Sequence, residues 1–599
     1  MLFLKRPNAT KEPCSDKDCM IGVANGCKWL MIKTKKGGAI MKKDLSTSNC
    51  QNEKTWRGKN TLKNKLFFIA ILTTLILLAV SAWEPAIAQP KRGGILRTAT
   101  YFDPPHWDPH ATLSYQVHFA TSFIYSKLLR VKQGEDVDPY AMEIEGDLAE
   151  SWKQVSPTEY VFKLHRGVHF HNKPPVNGRE LTSADVKYSF ERILSPETKS
   201  PIRAVLGIVQ SIETPDRYTV KITTKEPYSP FLKFIAVNFV CIVPREVVEK
   251  YGDLRKWDLA VGTGPFTVES YEPGVRIVFK RNPDYFEKGR PYLDKVDIRI
   301  IKSSEVMNMA LKNEELDLGM GNPFPDFQST EEMLKIHPNM KRSRYHINAW
   351  PHIALASDKP PFNDKRVRQA VSMSLNRQKI LEILADGNGW IDNILAMAME
   401  GSIPYKKLGT AAMFFEYNPA EAKRLIREAG LRPPLKVKLI YTPAYGPVWV
   451  SFVEVIAAQM KAAGTFDVTL VPQEYGKFDS STRRGRYNDD GLFAFQLPTV
   501  DAGDALWGNF HSTAFLNAAR VKDKITDNLL EAQRREVDPS KRTKILDKLQ
   551  FYLADQMFDI PLVSTAQFDM WFPYVRGYNS HVVPSYNTGD SFSQVWLDK

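Results

Sequence analysis

The feature that most restricts the fold is a segment near the middle of the 599-residue chain, where a strand pattern runs directly into a helix start. Apolar and polar side chains alternate over residues 344–351, which predicts a β-strand. Pro361 then keeps the chain extended, and Asn363 or Asp364 can cap the next helix. The buried face of that helix is predicted to carry Val367, Ala370, Val371 and Leu375. A strand thus leaves one body of the protein and a helix opens another.

The second body carries a strand–helix–strand pattern. Alternating side chains predict strands at residues 435–441 and 466–470, and the residues between them have a helical apolar face. A strand–helix–strand unit of this length predicts a parallel sheet and an α/β fold. Ligands of such sheets bind beyond the carboxyl ends of the strands, and residues 441–447 form the first of these ends.

The first 88 residues have a different character. An apolar run over residues 66–80 follows two lysines and precedes a small-x-small site at residues 86–88, which predicts a secretory signal cleaved after Ala88. The run is short for a membrane span, although an uncleaved anchor stays an alternative. The segment of residues 1–60 is longer than the region that usually precedes the apolar run of a signal peptide. Either the leader is extended or translation begins later, at Met20, Met31 or Met41.

Removing the leader changes the charge and the cysteine count. It contains 15 basic and 6 acidic residues, so the formal net charge falls from +13 to +4, which predicts no nucleic-acid partner. Only Cys241 remains after residue 88, so neither an internal disulfide nor lipid attachment at a new N-terminal cysteine is expected. We therefore expect a soluble periplasmic protein.

Several motifs occur in a fixed order along the chain. They are Gly93–Gly94 with the strand that follows, residues 148–152, 184–192, 262–266, 281–285 and 361–370. In this order they resemble the extracellular solute-binding proteins of family 5, which serve ABC importers of peptides and nickel. The resemblance extends from Gly93 to the C-terminus.

The resemblance implies an α/β, two-lobed periplasmic-binding-protein fold of type II with an extra small subdomain in the first lobe. The expected boundaries are 1–88 for the leader, 89–345 for lobe I with its subdomain at about 130–215, 346–563 for lobe II, and 564–599 for the return to lobe I. Asn348 is the expected hinge. The implied function is capture of a solute by hinge closure and its delivery to the membrane permease.

The resemblance also implies where the ligand binds. The end of the first strand and the following loop form one wall of the cleft in the family, so Tyr101, Phe102, Asp103 and Trp107 are predicted to contact ligand. Plain packing is the alternative for these residues. Further aromatic candidates for the cleft are Trp350, Tyr445, Phe495 and Trp507.

Two acidic residues are candidates for binding a peptide's amino group. Relatives carry an aspartate for this purpose about where Asp501 and Asp504 lie, although either residue is also typical of a turn. Dipeptide-binding relatives carry an arginine near Tyr445 that holds the peptide carboxylate, whereas this chain has none there. The ligand is therefore left open among peptides, sugars, opines and metal complexes, and a membrane-tethered sensor partner is the remaining alternative.

No enzyme signature occurs in the sequence, and we expect no catalysis, no cofactor and a monomer. Residues 262–266 lack the Lys-Ser/Thr ending of a phosphate loop, and their glycines are suited to a tight turn with positive φ. His165, His169 and His171 share one face of an extended strand, but no carboxylate or cysteine joins them. We therefore expect no metal site.

Overall fold

The computed structural model describes residues 89–599 except 321–324, 496–498 and 581–586, and it also describes the backbone of four strands near the N-terminus. The chain divides into two units, Met1–Ala88 and Gln89–Lys599. In the first unit, Lys11–Pro13, Cys19–Ala24, Cys27–Lys33 and Ala39–Lys43 form an antiparallel sheet in chain order. The predicted signal segment at residues 66–80 and the cleavage site after Ala88 lie outside the described residues.

The described helices offer no membrane span, since none is both long and apolar enough to cross a bilayer. In the second unit, Cys241 is a buried free thiol. Burial raises the pKa of this thiol above its ordinary value, so it has the character of a core residue and not of a nucleophile.

Lobe II is built on one mixed sheet. Its strand order is Phe466–Pro472, Leu435–Tyr441, Gly491–Phe495, Pro351–Leu355 and Asp559–Pro561. The first three strands are parallel to one another, and the last two pair antiparallel with their neighbours. The helix Pro447–Ala462 connects the first two parallel strands, so the predicted strand–helix–strand unit is confirmed.

The direction of these strands determines where the lobes meet. Pro351, where the chain enters the sheet, pairs with Phe495 at the end of a parallel strand. Pro561, where the chain leaves, pairs with His352 beside it. Both connections to lobe I therefore lie at the edge of the sheet where the parallel strands end. That edge is the expected position of a ligand site in an α/β protein.

Lobe I contains two sheets and a further four-stranded subdomain sheet that shares one hydrophobic core with them. One sheet has the order Phe266–Glu272, Arg276–Arg281, Lys295–Ile300 and Ile95–Thr100, and another has the order Leu318–Gly319, Gln567–Trp571 and Lys341–Tyr345. The subdomain sheet has the order Val209–Asp216, Thr219–Thr224, Glu159–Leu164 and Ala149–Ser156. Because Thr219–Thr224 pairs between two subdomain strands, the subdomain extends beyond the expected boundary at about 215.

Three further pairs of short strands complete the sheets. They are Leu129–Val131 with Ile144–Gly146, Gly389–Ile391 with Val563–Thr565, and Val575–Arg576 with Trp596–Leu597. The strand Gln567–Trp571 pairs with Lys341–Tyr345, so the C-terminal segment returns to the sheet that precedes the crossing.

The described helices cover the faces of these sheets. The α-helices are Tyr115–Thr121, Ser183–Leu194, Arg203–Leu206, Phe231–Ile235, Arg245–Tyr251, Ser304–Lys312, Phe327–Ile336, Lys365–Met373, Arg377–Ala385, Pro419–Glu428, Pro447–Ala462, Tyr475–Ser480, Ala502–Phe510, Lys524–Arg535, Pro539–Gln556 and Thr588–Phe592. Short 3₁₀ helices are Pro109–Ala111, Pro196–Thr198, Asn238–Val240, Trp257–Leu259, Tyr405–Lys407, Gly409–Phe415, Pro443–Tyr445 and Thr482–Arg484.

The segment between the lobes differs from its prediction. Residues 344–351 do not form one strand, because Lys341–Tyr345 ends in lobe I and Pro351–Leu355 begins in lobe II. Between them, His346 bonds to Asp392 and Asn348 to the carbonyl of Thr499, so side chains replace the sheet ladder. The helix start is confirmed, with Asp364 accepting a hydrogen bond from the backbone of Arg366.

The glycines at residues 262–266 are required for a reason other than the predicted one. Neither Gly262 nor Gly264 has a positive φ. A Cβ on Gly262 would lie 2.1 Å from the carbonyl oxygen of Ile124, and one on Gly264 would lie 2.6 Å from it. The two chain segments approach too closely for any side chain at these positions.

The core of lobe I contains a buried imidazole whose protonation opposes folding. Nε2 of His110 donates to the carbonyl of Cys241 at 2.9 Å, and the side chain is fully buried. Burial, assisted by the charge of Arg192, lowers the pKa of His110 from 6.5 to about 3. At pH values between these two pKa values, His110 is protonated in the unfolded chain and neutral in the folded chain. The free energy of unfolding therefore falls as the pH drops through this range.

We expect His110→Gln to remove this dependence, because glutamine keeps a nitrogen donor but cannot be protonated. The free energy of unfolding of the wild type relative to the variant should fall by about 1.4 kcal/mol per pH unit between pH 6 and pH 4. Urea unfolding at several pH values measures this difference. A difference that stays constant over the window would show that His110 is protonated in the folded protein.

Candidate functional site

Aromatic rings meet at the edge of the lobe II sheet that faces lobe I. We call Tyr445, Trp449, Tyr475, Phe478 and Phe495 the aromatic cluster. The ring of Tyr445 lies 5.7 Å from that of Phe495 and 5.8 Å from that of Trp449, and the rings of Phe495 and Trp449 are 4.4 Å apart. The structure thus brings together two of the predicted ligand residues, Tyr445 and Phe495.

The local sequence explains how Tyr445 reaches this position. Thr442, directly after the strand Leu435–Tyr441, caps a short 3₁₀ turn through its hydroxyl group. Gly446 then adopts a φ of 96°, which a residue with a side chain rarely adopts, and Pro447 begins the long helix. The turn holds Tyr445 over the carboxyl edge of the sheet.

The aromatic cluster carries polar groups, and the hydroxyl of Tyr445 interacts with Arg483. Burial raises the pKa of Tyr445 to about 12, so its hydroxyl stays neutral. The indole nitrogen of Trp449 is buried and has no hydrogen-bond partner among the described residues. Tyr475 remains 46% exposed at the margin of the cluster. These groups can accept or donate hydrogen bonds to a molecule lying on the rings.

A charged pair that sequence analysis missed borders the aromatic cluster. Arg483 donates to the carbonyl of Phe495 at 3.0 Å and to the carboxylate of Asp479 at 3.2 Å. Arg483 is only 6% exposed, whereas the side chain of Asp479 is 42% exposed. The available signal was the basic segment at residues 483–486, which follows the strand predicted at residues 466–470, although the sequence does not place that segment beside Tyr445.

Tyr101 and Phe102 lie at the end of the first strand of lobe I. Phe102 is buried against the rings of Tyr115 and Phe119, and Tyr101 contacts Phe102 edge-on at 5.1 Å. Tyr101 is 38% exposed, yet loss of hydration raises its pKa. This combination is expected of a side chain that lines a concave surface.

The side chains of Asp103 and Trp107 make contacts inside lobe I. Asp103 accepts hydrogen bonds from the backbone of Gly274 and from the hydroxyl of Tyr271. Trp107 is 2% exposed, and its ring packs on Tyr271 and Phe279 in the lobe core. The predicted ligand contact of Trp107 is therefore corrected to core packing, because the apolar ring gains more from full burial than from a cleft surface.

Trp350 is likewise a core residue. It is 2% exposed and belongs to the hydrophobic core of lobe II, so the structure does not present it to a ligand. Asn348 is 1% exposed and donates through its side-chain amide to the carbonyl of Thr499 at 3.2 Å. It lies between the lobes, where a hinge is predicted, and joins the chain crossing to the loop that follows Phe495.

Asp501 is fully engaged inside lobe II. Its two carboxylate oxygens accept hydrogen bonds from Arg542 at 2.6 and 2.8 Å, and it also caps the helix Ala502–Phe510. Burial alone would raise the pKa of Asp501, but the hydrogen bonds and charge of Arg542 outweigh burial and lower it. The geometry is that of a structural ion pair, which leaves no oxygen directed at an amino group.

Asp504 and Trp507 point instead to the opposite lobe. The hydroxyl of Tyr228, in lobe I, donates to Asp504 at 2.6 Å. The guanidinium of Arg534 lies over the rings of Tyr228 and Trp507, with its central carbon 4.7 and 4.3 Å from the ring centres. The structure therefore joins these two predicted ligand residues to a contact between the lobes.

The three histidines considered for a metal site, His165, His169 and His171, do not lie together. His169 bonds through Nδ1 to the carbonyl of Gly178, and His171 bonds through Nε2 to the carbonyl of Gly264. His165 packs on the ring of Phe286. Across the described residues, no group of three or more histidine, cysteine, aspartate or glutamate side chains is arranged to hold a metal ion.

Comparison with known proteins identifies a matching family. The model of the bacterial extracellular solute-binding proteins, family 5 (middle region), matches residues 143–515. Di/tripeptide-binding protein 2 of Pseudomonas aeruginosa is 27% identical over 557 residues, covering 88% of this chain and 99% of that protein.

Solved structures share the fold. The DppA periplasmic binding protein of Helicobacter pylori, in complex with the peptide STSA, is 26% identical with a TM-score of 0.70, covering 85% of this chain and 99% of that one. MoaA from A. tumefacien R10, in complex with mannopinic acid, is 25% identical with a TM-score of 0.68, covering 85% and 100%.

We expect Asp501→Asn to destabilise the protein in the absence of any ligand. Asparagine preserves the helix cap, but the buried guanidinium of Arg542 loses its counterion, which should cost about 3–5 kcal/mol in unfolding free energy. Urea unfolding measures the loss. Asp326→Asn, at an exposed cap of the helix Phe327–Ile336, is the control and should change little. Unchanged stability combined with lost solute binding would instead assign Asp501 to the ligand.

Proposed function

Because the chain belongs to the bacterial extracellular solute-binding proteins of family 5, we propose that it captures peptides in the periplasm and delivers them to the membrane permease of an ABC importer. The observation that carries the choice of ligand is the aromatic cluster beside Arg483 and Asp479. These residues lie at the sheet edge where both connections to lobe I meet. The relatives named for di- and tripeptides and for a bound tetrapeptide support it.

The chemistry of this edge suits a short peptide. The guanidinium of Arg483, whose Nη1 and Nη2 donate to Asp479 and to the carbonyl of Phe495, places a positive charge beside the rings, and the partly exposed carboxylate of Asp479 can receive an ammonium group. Ring faces of Tyr445 and Phe495 accept side chains of varied size through apolar contact, and Tyr101 offers a hydroxyl from lobe I. Recognition of the charged ends with tolerance of the side chains is what a general peptide carrier requires.

No reaction of the ligand is part of this mechanism. The ligand binds to one lobe and the hinge around Asn348 closes the other lobe over it, which excludes water and strengthens the charged contacts. The closed monomer then differs in shape from the open one, and the permease can distinguish them. A periplasmic location follows if the predicted signal is cleaved after Ala88.

A non-peptide organic acid is a second candidate. It is favoured by the buried position of Arg483 at the aromatic cluster and by the similarity to a protein that holds mannopinic acid. Such a ligand shares the carboxylate with a peptide but places a polar chain against the rings. The two candidates therefore differ in the requirement for a peptide ammonium group.

We expect di- to pentapeptides to raise the melting temperature of the protein purified from the periplasmic fraction. A ligand at 100 times its dissociation constant stabilises the folded state by about 2.7 kcal/mol, which a thermal-shift assay detects. Opines and oligosaccharides are tested in parallel. A shift with opines alone would refute the peptide assignment while leaving the solute-binding role intact.

The same assay tests Arg483. We expect Arg483→Gln to weaken binding of peptides about tenfold or more, because a carboxylate in the cleft loses its charged donor. Arg424→Gln is the control, since Arg424 is half exposed and pairs with Glu421 and Glu428 on its own helix, away from the aromatic cluster. Equal effects of the two substitutions would contradict a carboxylate site at Arg483.

A further inference from the structure

Four side chains from the two lobes meet in one contact. Tyr228 belongs to lobe I, whereas Asp504, Trp507 and Arg534 belong to lobe II. The hydroxyl of Tyr228 donates to Asp504 at 2.6 Å, and Arg534 lies between the rings of Tyr228 and Trp507. Next to them, the backbone N–H of Ser229 donates to the carbonyl of Arg534 at 2.9 Å.

Burial of the Tyr228 side chain strengthens this contact. Tyr228 is 1% exposed, although its hydroxyl group reaches across to the other lobe. Opening the cleft would return the phenol and the carboxylate to water and separate Arg534 from one of its two rings. A hydrogen bond to a charged group and a cation–π contact are both stronger when water is excluded.

Charged and titratable groups face Asp504 from each neighbouring element. They are Asp501 at the cap of the same helix, Arg534 on the helix Lys524–Arg535 with its Nε 3.9 Å from the carboxylate, Arg542 on the helix Pro539–Gln556, and Tyr228 from lobe I. Arg542 is engaged by Asp501. Tyr228 is thus the neutral donor that compensates Asp504 for lost hydration.

We propose that Tyr228, Asp504, Trp507 and Arg534 form a latch that holds the closed arrangement of the lobes. Asp504 and Trp507 then act on closure and not on the ligand's amino group. The inference rests on the proposed closure of the two lobes, but not on the identity of the solute. It predicts that the latch raises the closed fraction of the solute-free protein, in which the open form still predominates.

Two ion pairs also join the lobes, in addition to the packing of Val500 on the buried residues Val131, Met142 and Val237. Glu226 pairs with Arg535 at 2.8 Å and Lys233 with Glu400 at 2.6 Å. Both side chains of the first pair are about half exposed, and the glutamate of the second is 63% exposed. Exposed ion pairs of this kind contribute little, so they stabilise the closed form weakly compared with the latch, whose Arg534 and Asp504 side chains are only 24% and 22% exposed.

The test measures closure without ligand. Spin labels are attached at Glu213→Cys in lobe I and at Lys461→Cys in lobe II. Pulsed electron paramagnetic resonance then measures the distance between the two labels. The protein used is the full chain with its four N-terminal cysteines replaced by serine. Cys241 is buried and escapes labelling. We expect Tyr228→Phe to lower the ratio of closed to open protein about tenfold, and Arg534→Lys to lower it as well.

Tyr218→Phe is the matched control, because its hydroxyl donates to Glu180 within lobe I and its loss should leave the ratio unchanged. Melting temperatures show that each variant is folded. In a double-mutant cycle, the protein that carries both Tyr228→Phe and Asp504→Ala should have the same closed-to-open ratio as either single variant.

An unchanged closed-to-open ratio in Tyr228→Phe and Arg534→Lys would overturn the latch. The latch is also refuted if Asp504→Ala leaves the ratio unchanged but weakens binding of trialanine and not of N-acetyl-trialanine, since Asp504 would then bind the ammonium group. If trialanine binds to none of the proteins, only the peptide assignment fails, because the ligand-free ratio still tests the latch.

Discussion

The carboxylate of Asp392 connects the two chain segments that join the lobes, and any motion between the lobes is constrained by it. Nε2 of His346, on the outgoing segment, donates to one oxygen at 2.8 Å, and the hydroxyl of Ser564, on the returning segment, donates to the other. All three side chains are buried. In the proposed closure, bending would therefore fall on the few residues between these anchors and the sheets of each lobe.

The direction of the strands then determines the chemistry of the cleft. Because both connections lie at the edge where the parallel strands of lobe II end, the turns after those strands are the ones that face lobe I. Each turn contributes one kind of group: a phenol at Tyr445, a charged pair at Asp479 and Arg483, and the latch after Phe495. In the proposed function, successive turns along one edge therefore serve recognition and closure separately.

Local sequence patterns predicted the parts of this arrangement that depend on neighbouring residues. The strand Leu435–Tyr441, the helix that follows it and the cap at Asp364 follow from periodicity and capping chemistry, and the structure has them. The strand expected at residues 344–351 is absent because its polar side chains bond to residues far away in sequence. Alternation alone does not distinguish such a crossing from a strand.

The roles of individual site residues were harder to predict, since they depend on partners that are distant in sequence. Tryptophan is a residue type that often contacts ligands, but Trp107 and Trp350 pack in the cores of the two lobes. Asp501 and Asp504 lie three residues apart, yet one pairs with Arg542 within its lobe and the other receives a hydrogen bond from Tyr228 across the cleft. Arg483 was missed because the sequence does not show that its turn lies beside Tyr445.

Small-angle X-ray scattering, with and without a peptide that shifts the melting temperature, tests most directly whether this chain captures solute by closing its lobes. We predict a smaller radius of gyration in the presence of the peptide and a two-state change during titration, with the midpoint at the dissociation constant. A peptide that binds tightly while the radius of gyration stays the same, from a starting state that is open, would contradict closure as the basis of function.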